Sequence, residues 1–174
     1  PTLTVFKSYA ELGQERRSTA LERQMTDPEL LDEYERIPDD YETTPGLQGF
    51  VDVVRAQREN GLRNAGRLHE AGVRILAGSD QQSGLVPGAS LHRELALLQK
   101  AGLSPIEVLR ATTLYAAQFL ADSDDPGFGL VAEGKRADLV LINANPLKDA
   151  KHLSDIDTVI LGGVALERHP LEAE

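Results

Sequence analysis

The apolar periodicity of this chain changes once, and that change narrows the folds open to it. Up to about Leu120, short apolar runs alternate with longer segments of helical period. After Asp125-Pro126-Gly127 only short apolar runs and turn residues remain. In the first part, Thr2 to Lys7 is apolar and β-branched behind Pro1 and reads as a short buried strand. Tyr9 to Glu35, rich in Glu, Leu, Arg and Ala, reads as helix, with a fresh start at Asp27-Pro28. Ile37 to Pro45 holds two prolines and several acids and reads as a surface loop. From Leu47 to Glu70, the residues Phe50, Val54, Leu62, Ala65 and Leu68 give a partly helical period that Gly61 and Gly66 are expected to weaken or break.

Gly72 stops that segment, and Val73 to Gly78 reads as a second strand. Leu91, Leu95 and Leu98 form an i, i+4, i+7 stripe closed by Ala101-Gly102. Ser104-Pro105-Ile106-Glu107 has the form of a capping box, opening a helix to about Leu120 that should bury Leu109, Thr113, Ala116 and Leu120. In the second part, Ala137 to Ile142 and Thr158 to Leu161 read as strands. Gly162-Gly163 is a two-residue hairpin signal into Val164-Ala165-Leu166. The expectation is an α/β portion over residues 1–125 followed by a small β portion over 126–174.

Composition excludes several classes of function. The chain has 174 residues, enough for one domain or for a piece of a barrel that needs about 250. With no Cys, disulfides and thiolate metal sites are out. A net charge of −10 disfavours nucleic acid and anionic membranes as partners. Much of that charge lies between Glu22 and Glu42, where nine acids face two Arg; a solvated helical surface is the expectation there, rather than a cation-binding face. No apolar run reaches the length of a membrane span and no signal-peptide pattern is visible; with no Cys, cytoplasm is the mild default. A strand-like segment at the first residue, with no initiator Met, is how an internal piece of a longer protein would begin.

The sharpest chemical feature is Ala77-Gly78-Ser79-Asp80, which places a carboxylate at the carboxyl end of an apolar segment, ahead of a loop with Gly84, Pro87 and Gly88. A carboxylate so placed can ligate a metal or take a proton from a metal-bound water; the alternative is an Asp that caps a turn. Gly127-Phe128-Gly129 is not a dinucleotide fingerprint, and there is no phosphate loop or Gly-x-Ser-x-Gly elbow.

At this point the sequence resembles a family. Ala71 to Asp80 is similar to the eighth barrel strand of the amidohydrolase superfamily, especially its imidazolonepropionase and Xaa-Pro-dipeptidase-like branch. Ser90-Leu91-His92-Arg93-Glu94-Leu95 resembles the helix that follows, and Ala101 to Pro105 with Leu109 to Leu114 resembles the next one. Gly129 to Val140 is similar to the re-entry into that family's small β-sandwich, Val159 to Gly163 to its closing hairpin, and Pro1-Thr2-Leu3 to the start of the seventh strand. Tyr115 stands where Asn is common.

The resemblance implies an α/β chain made of the last strands and helices of a TIM-type (β/α)8 barrel plus the C-terminal part of a small β-sandwich. It implies that Asp80 binds the more buried metal, Zn²⁺ by first expectation and one or two ions in all, and shuttles a proton between the attacking water and the leaving group. The family's other ligands are a His-x-His pair, a Lys or Glu, and two further His, on strands this chain lacks; it contains no His-x-His. Most of the metal would therefore be held by residues outside this chain. His92 is a candidate substrate contact, with helix-start packing as the alternative, and Ser83, Gln81 and Gln82 are candidates for lining the pocket. His69, His152 and His169 read as structural or surface residues.

The implied reaction is hydrolysis of a C–N bond in a dipeptide, cyclic amide or other small molecule, with the missing N-terminal part of the same enzyme as obligate partner and oligomeric state open, a homo-oligomer included. The alternatives are an inactive truncated fragment and a non-catalytic binding module. Two strands of an eight-stranded barrel leave an open edge and an uncovered apolar face. The isolated chain is therefore expected to be partly molten or to associate, with a broad melting transition or one that moves with protein concentration. A sharp, concentration-independent melt of a monomer on size exclusion would contradict this.

Overall fold

The computed structural model describes residues 2–12, 14, 18–35, 43–80 and 85–167. Along the chain come α1 (Leu3–Glu11), α2 (Ala20–Met25), α3 (Pro28–Glu35), the long α4 (Leu47–Glu70), α5 (Ala89–Lys100), α6 (Pro105–Thr112) and α7 (Leu114–Ala121). They are followed by β1 (Leu139–Ile142), a 3-10 turn (Ala150–Ser154), β2 (Ile156–Leu161) and β3 (Val164–Leu166). Most of the loop expected over Ile37 to Pro45 lies outside the described residues. Among the described residues no helix is long and apolar enough to cross a membrane.

The first segment corrects the sequence reading. Thr2 to Lys7 is not a strand: Leu3 opens a nine-residue helix. Local β-branched propensity is a weak preference, and here distant side chains override it. At the helix N-terminus the amides of Leu3 and Thr4 donate to the two carboxylate oxygens of Glu94, at 3.0 and 2.7 Å. At the C-terminal end Arg55 of α4 donates to the carbonyls of Ala10 (3.0 Å) and Leu12 (3.2 Å). Backbone groups that a short helix leaves unsatisfied are thus bonded at both ends, by an anion where the helix is positive and a cation where it is negative. Lys7 and Glu11 add an i, i+4 ion pair at 2.6 Å, and Tyr9 meets Phe50 edge to face at 5.2 Å between centroids.

The fresh start at Asp27-Pro28 is borne out by α3, with Asp27 accepting from the Glu29 amide at 2.8 Å. In α2, Thr19 and Glu22 form a complete capping box that the sequence reading passed over. The box expected at Ser104 is not made. Pro105 does open α6, but Glu107 pairs with Arg110 at 2.6 Å and accepts from Tyr115 Oη at 3.2 Å. The helix expected to run on to Leu120 breaks at Thr113 (φ −124°, ψ −87°), where the chain at Gly129 comes so close that a Cβ there would stand 2.4 Å from Ala117 Cβ. Its buried residues are accordingly Val108, Ala111 and Ala117, while Leu120 is 73% exposed.

Neither Gly61 nor Gly66 breaks α4, which runs unbroken for 24 residues and buries Val51, Val54, Leu62 and Ala65. Phe50 and Leu68, expected on that stripe, are half exposed. Gly66 is required by packing instead: a Cβ there would lie 2.3 Å from the Ala101 carbonyl oxygen at the end of α5. The Leu91/Leu95/Leu98 stripe holds, with Leu95 and Leu98 in a core that also contains Ile75, Leu103, Val108, Ala111 and Ala150. Ala150 reaches this core from the β portion, its amide donating to Gln99 Oε1 at 2.7 Å.

Val73 to Gly78 is a second correction, since it joins no ladder among the described residues. A strand exists only where its amides and carbonyls meet a neighbouring strand, and here the Val73 amide meets the Leu68 carbonyl of α4 (3.0 Å) and the Ala77 amide the Ala111 carbonyl of α6 (3.1 Å). The β portion is a three-stranded antiparallel sheet in the order β1-β2-β3, with Leu139 opposite Ile160 and Leu161 opposite Val164; a second sheet, as a sandwich requires, is absent from the described residues. Gly162 and Gly163, both at positive φ (57° and 86°), make the expected hairpin, and Asp138 accepts from the Gly162 amide at 2.8 Å.

The two glycines of α4 should respond oppositely to Ala. Gly66→Ala forces α4 and α5 apart and is expected to cost about 1–3 kcal/mol. At Gly61 the nearest atom, Leu3 Cδ2, would be 3.7 Å from the new methyl, and Gly61→Ala should gain about 0.4–1 kcal/mol. Urea-unfolding midpoints check both signs.

Candidate functional site

The candidate site is built on the segment from Gly72 to Asp80. Gly72, at φ +82°, turns the chain out of α4. Ile75 is then 5% exposed in the core, and Ala77 is tied by its amide to α6. Thr2 Cγ2, at the start of α1, lies 3.8 Å from the place a Gly78 Cβ would take. After these contacts the chain emerges at Asp80, which is exposed and at φ +47°. Asp is one of the few side chains that tolerate this left-handed conformation. Nothing among the described residues bonds to its carboxylate.

Ser83, Gln81 and Gln82, the pocket-lining candidates, lie outside the described residues, as does His169. The chain is next described at Leu85 and Val86, each 1% exposed, which sink it back into the core before α5 begins at Ala89. His92 sits in the first turns of α5, partly buried, and burial pushes its imidazole below the ordinary value of 6.5. A neutral imidazole offers one donor and one acceptor rather than a charge.

His152 has a local role, its Nδ1 lying 2.7 Å from the Asn145 carbonyl oxygen. His69 lines a cavity of about 310 Å³ beside Gly72 and Glu107. A second cavity, of about 350 Å³, lies against Arg74, Gln118 and Asp124. Neither is lined by Asp80 or His92. Among the described residues no three His, Asp or Glu side chains gather as a metal site, so a metal held in part by Asp80 needs donors from elsewhere.

Two residues beside His92 escaped the sequence reading. Glu94 is wholly buried; burial pushes its carboxyl up, while the Leu3 and Thr4 amides pull it back. Arg93 pairs with Glu22 of α2, which is 1% exposed. The signal for Glu94 was present, because it stands three residues after Leu91 and one before Leu95, on the buried stripe itself. A carboxylate on such a stripe must find donors inside the fold.

Comparison with known proteins gives this geometry a family. The sequence profile of the amidohydrolase family matches residues 25–166. No curated protein matches. Among solved structures, the chain is 35% identical to a "putative prolidase from Bifidobacterium longum", with a TM-score of 0.59, over 75% of this chain and 31% of that one. It is 28% identical to the bottromycin amidohydrolase, with a TM-score of 0.65, over 96% of this chain and 36% of that one. A Xaa-Pro dipeptidase crystallised with methionine in its active site shares the fold at 23% identity and a TM-score of 0.57, over 79% of this chain and 33% of that one. The chain thus spans about a third of the length of the structures it matches. With its profile match covering most of the sequence, the chain belongs to the amidohydrolase family, whose barrel-type fold it carries in part.

Proposed function

We propose that this chain is the part of a metal-dependent hydrolase of C–N bonds that contributes the acid–base carboxylate, Asp80. The observation that carries the reading is an exposed Asp, at positive φ, where a core-anchored segment surfaces in an amidohydrolase-family chain. In a complete barrel a segment of this kind would end a strand, and barrel enzymes carry their catalytic groups at strand ends. In this reading a metal would be held mostly by donors outside the chain, with Asp80 offering one carboxylate oxygen, and would supply an activated water. The free oxygen of Asp80 accepts a proton from the attacking water and returns it to the leaving nitrogen. The substrate class is a small amide or dipeptide, as the prolidase- and dipeptidase-like neighbours suggest.

His92 is assigned to substrate contact. Its place early in α5, after the loop that begins at Asp80, and its lowered pKa fit a neutral hydrogen-bonding partner rather than a cation.

In the complete enzyme, Asp80→Asn keeps size and hydrogen bonding but removes basicity. We expect kcat to fall by about 10²–10⁴-fold on Xaa-Pro dipeptides, with thermal stability changed little. Near-normal turnover with the metal still bound would overturn the assignment. His92→Ala should raise KM, or cost no more than about tenfold in kcat/KM.

The imidazole also predicts a pH effect. Its folded pKa is depressed, so on acidification the unfolded chain takes up the proton first, and stability present above pH 6.5 is lost as pH falls through the folded value. Tm should fall between about pH 7 and about pH 5, and His92→Gln should flatten that part of the curve.

A further inference from the structure

We propose that Glu94 is a positioning residue for the segment that leads into Asp80, acting through the first turn of α1. The proposal rests on the reading of Asp80 as the acid–base group and adds to it what holds that group in place.

Glu94 is wholly buried, and both of its oxygens are engaged across the fold, by the amides of Leu3 and Thr4 some ninety residues away in sequence. Helix α1 has no side-chain cap of its own, since Thr2 makes no such bond. Glu94 therefore supplies the anion that the helix N-terminus favours and fixes where α1 begins. The residue just before that turn is Thr2, whose methyl rests beside Gly78. The Ala77 amide donates to the Ala111 carbonyl of α6. Residues 77 and 78, three and two positions before Asp80, thus meet α6 and the clamped end of α1.

Glu94 does not itself reach outward: its oxygens are spent on backbone amides, and His92, two residues earlier, occupies a different face of α5. Without the carboxylate, α1 loses its anchor at the Thr2 end while α6 keeps its grip on Ala77. The expected result is a loosened segment 73–80 in a protein that remains folded. A displacement of about 1 Å in a catalytic group can cost about 10²-fold in rate.

The test uses the complete enzyme with Xaa-Pro dipeptides as substrate and compares Glu94→Ala, Glu94→Gln and Asp80→Asn by steady-state kinetics and amide hydrogen exchange. Gln keeps one accepting oxygen but turns an NH2 toward the second amide, so it should rescue part of the loss. Expected for Glu94→Ala are a kcat lower by about 10²-fold with KM within about twofold, and amide exchange about tenfold faster in residues 73–80 while α4 and α6 keep their protection. Glu94→Gln should fall between wild type and Ala on both readouts, and it carries the comparison if the Ala variant does not fold. Unchanged exchange in residues 73–80 would overturn the proposal, as would a uniform rise across α4 to α6, which marks a purely structural residue. If Asp80→Asn keeps its turnover while Glu94→Ala still loosens 73–80, the reading of Asp80 fails and the clamp stands.

Discussion

Helix α1 exists because other helices hold both of its ends. Glu94 on α5 takes its first amides, and Arg55 on α4 takes its last carbonyls. A nine-residue segment beginning Leu-Thr-Val has little intrinsic reason to be helical, and short helices are marginal alone. A buried carboxylate is costly unless bonded, and the exposed amides of a helix start are costly unless capped; each removes the other's penalty. Because α1 then lies across α4 and α5, this pairing sets the N-terminal side of the candidate site.

The same logic explains the 24-residue α4. Two internal glycines lower helical propensity, yet the helix continues because Gly66 lets the Ala101 carbonyl approach where no other residue has room. Contact between α4 and the end of α5 brings Ile75, Leu95, Leu98 and Leu103 into reach of a common core. Ala150 completes that core from the β portion, and the Gln99 side chain fixes it there. The segment that carries Asp80 is thus anchored by packing from several directions, although no strand pairs with it among the described residues.

Much of the fold and part of the site were legible in sequence. Leu91, Leu95 and Leu98 stand on the buried face of α5, Pro28 and Pro105 open helices, and Gly162-Gly163 makes its hairpin. The family was legible too, from ordered motifs that the profile match bears out. The strand reading of Thr2 to Lys7 failed because β-branched composition is shared by strands and by short helices that others cap. The capping box read at Ser104 failed because Glu107 had stronger partners in Arg110 and Tyr115.

What the sequence determined by itself is local: periodicities, helix starts, the hairpin, and a carboxylate following an apolar run. These follow from neighbours a few residues apart, whose spacing the covalent chain fixes. Only the tertiary structure decided that Glu94 would cap α1, that Gly66 would be a contact point, and that Thr2 and Ala111 would meet the approach to Asp80. Each of these joins groups about thirty to ninety residues apart. Which distant donor a buried carboxylate or an unpaired amide finds depends on how the elements pack, and packing is settled only when the whole chain closes on its core.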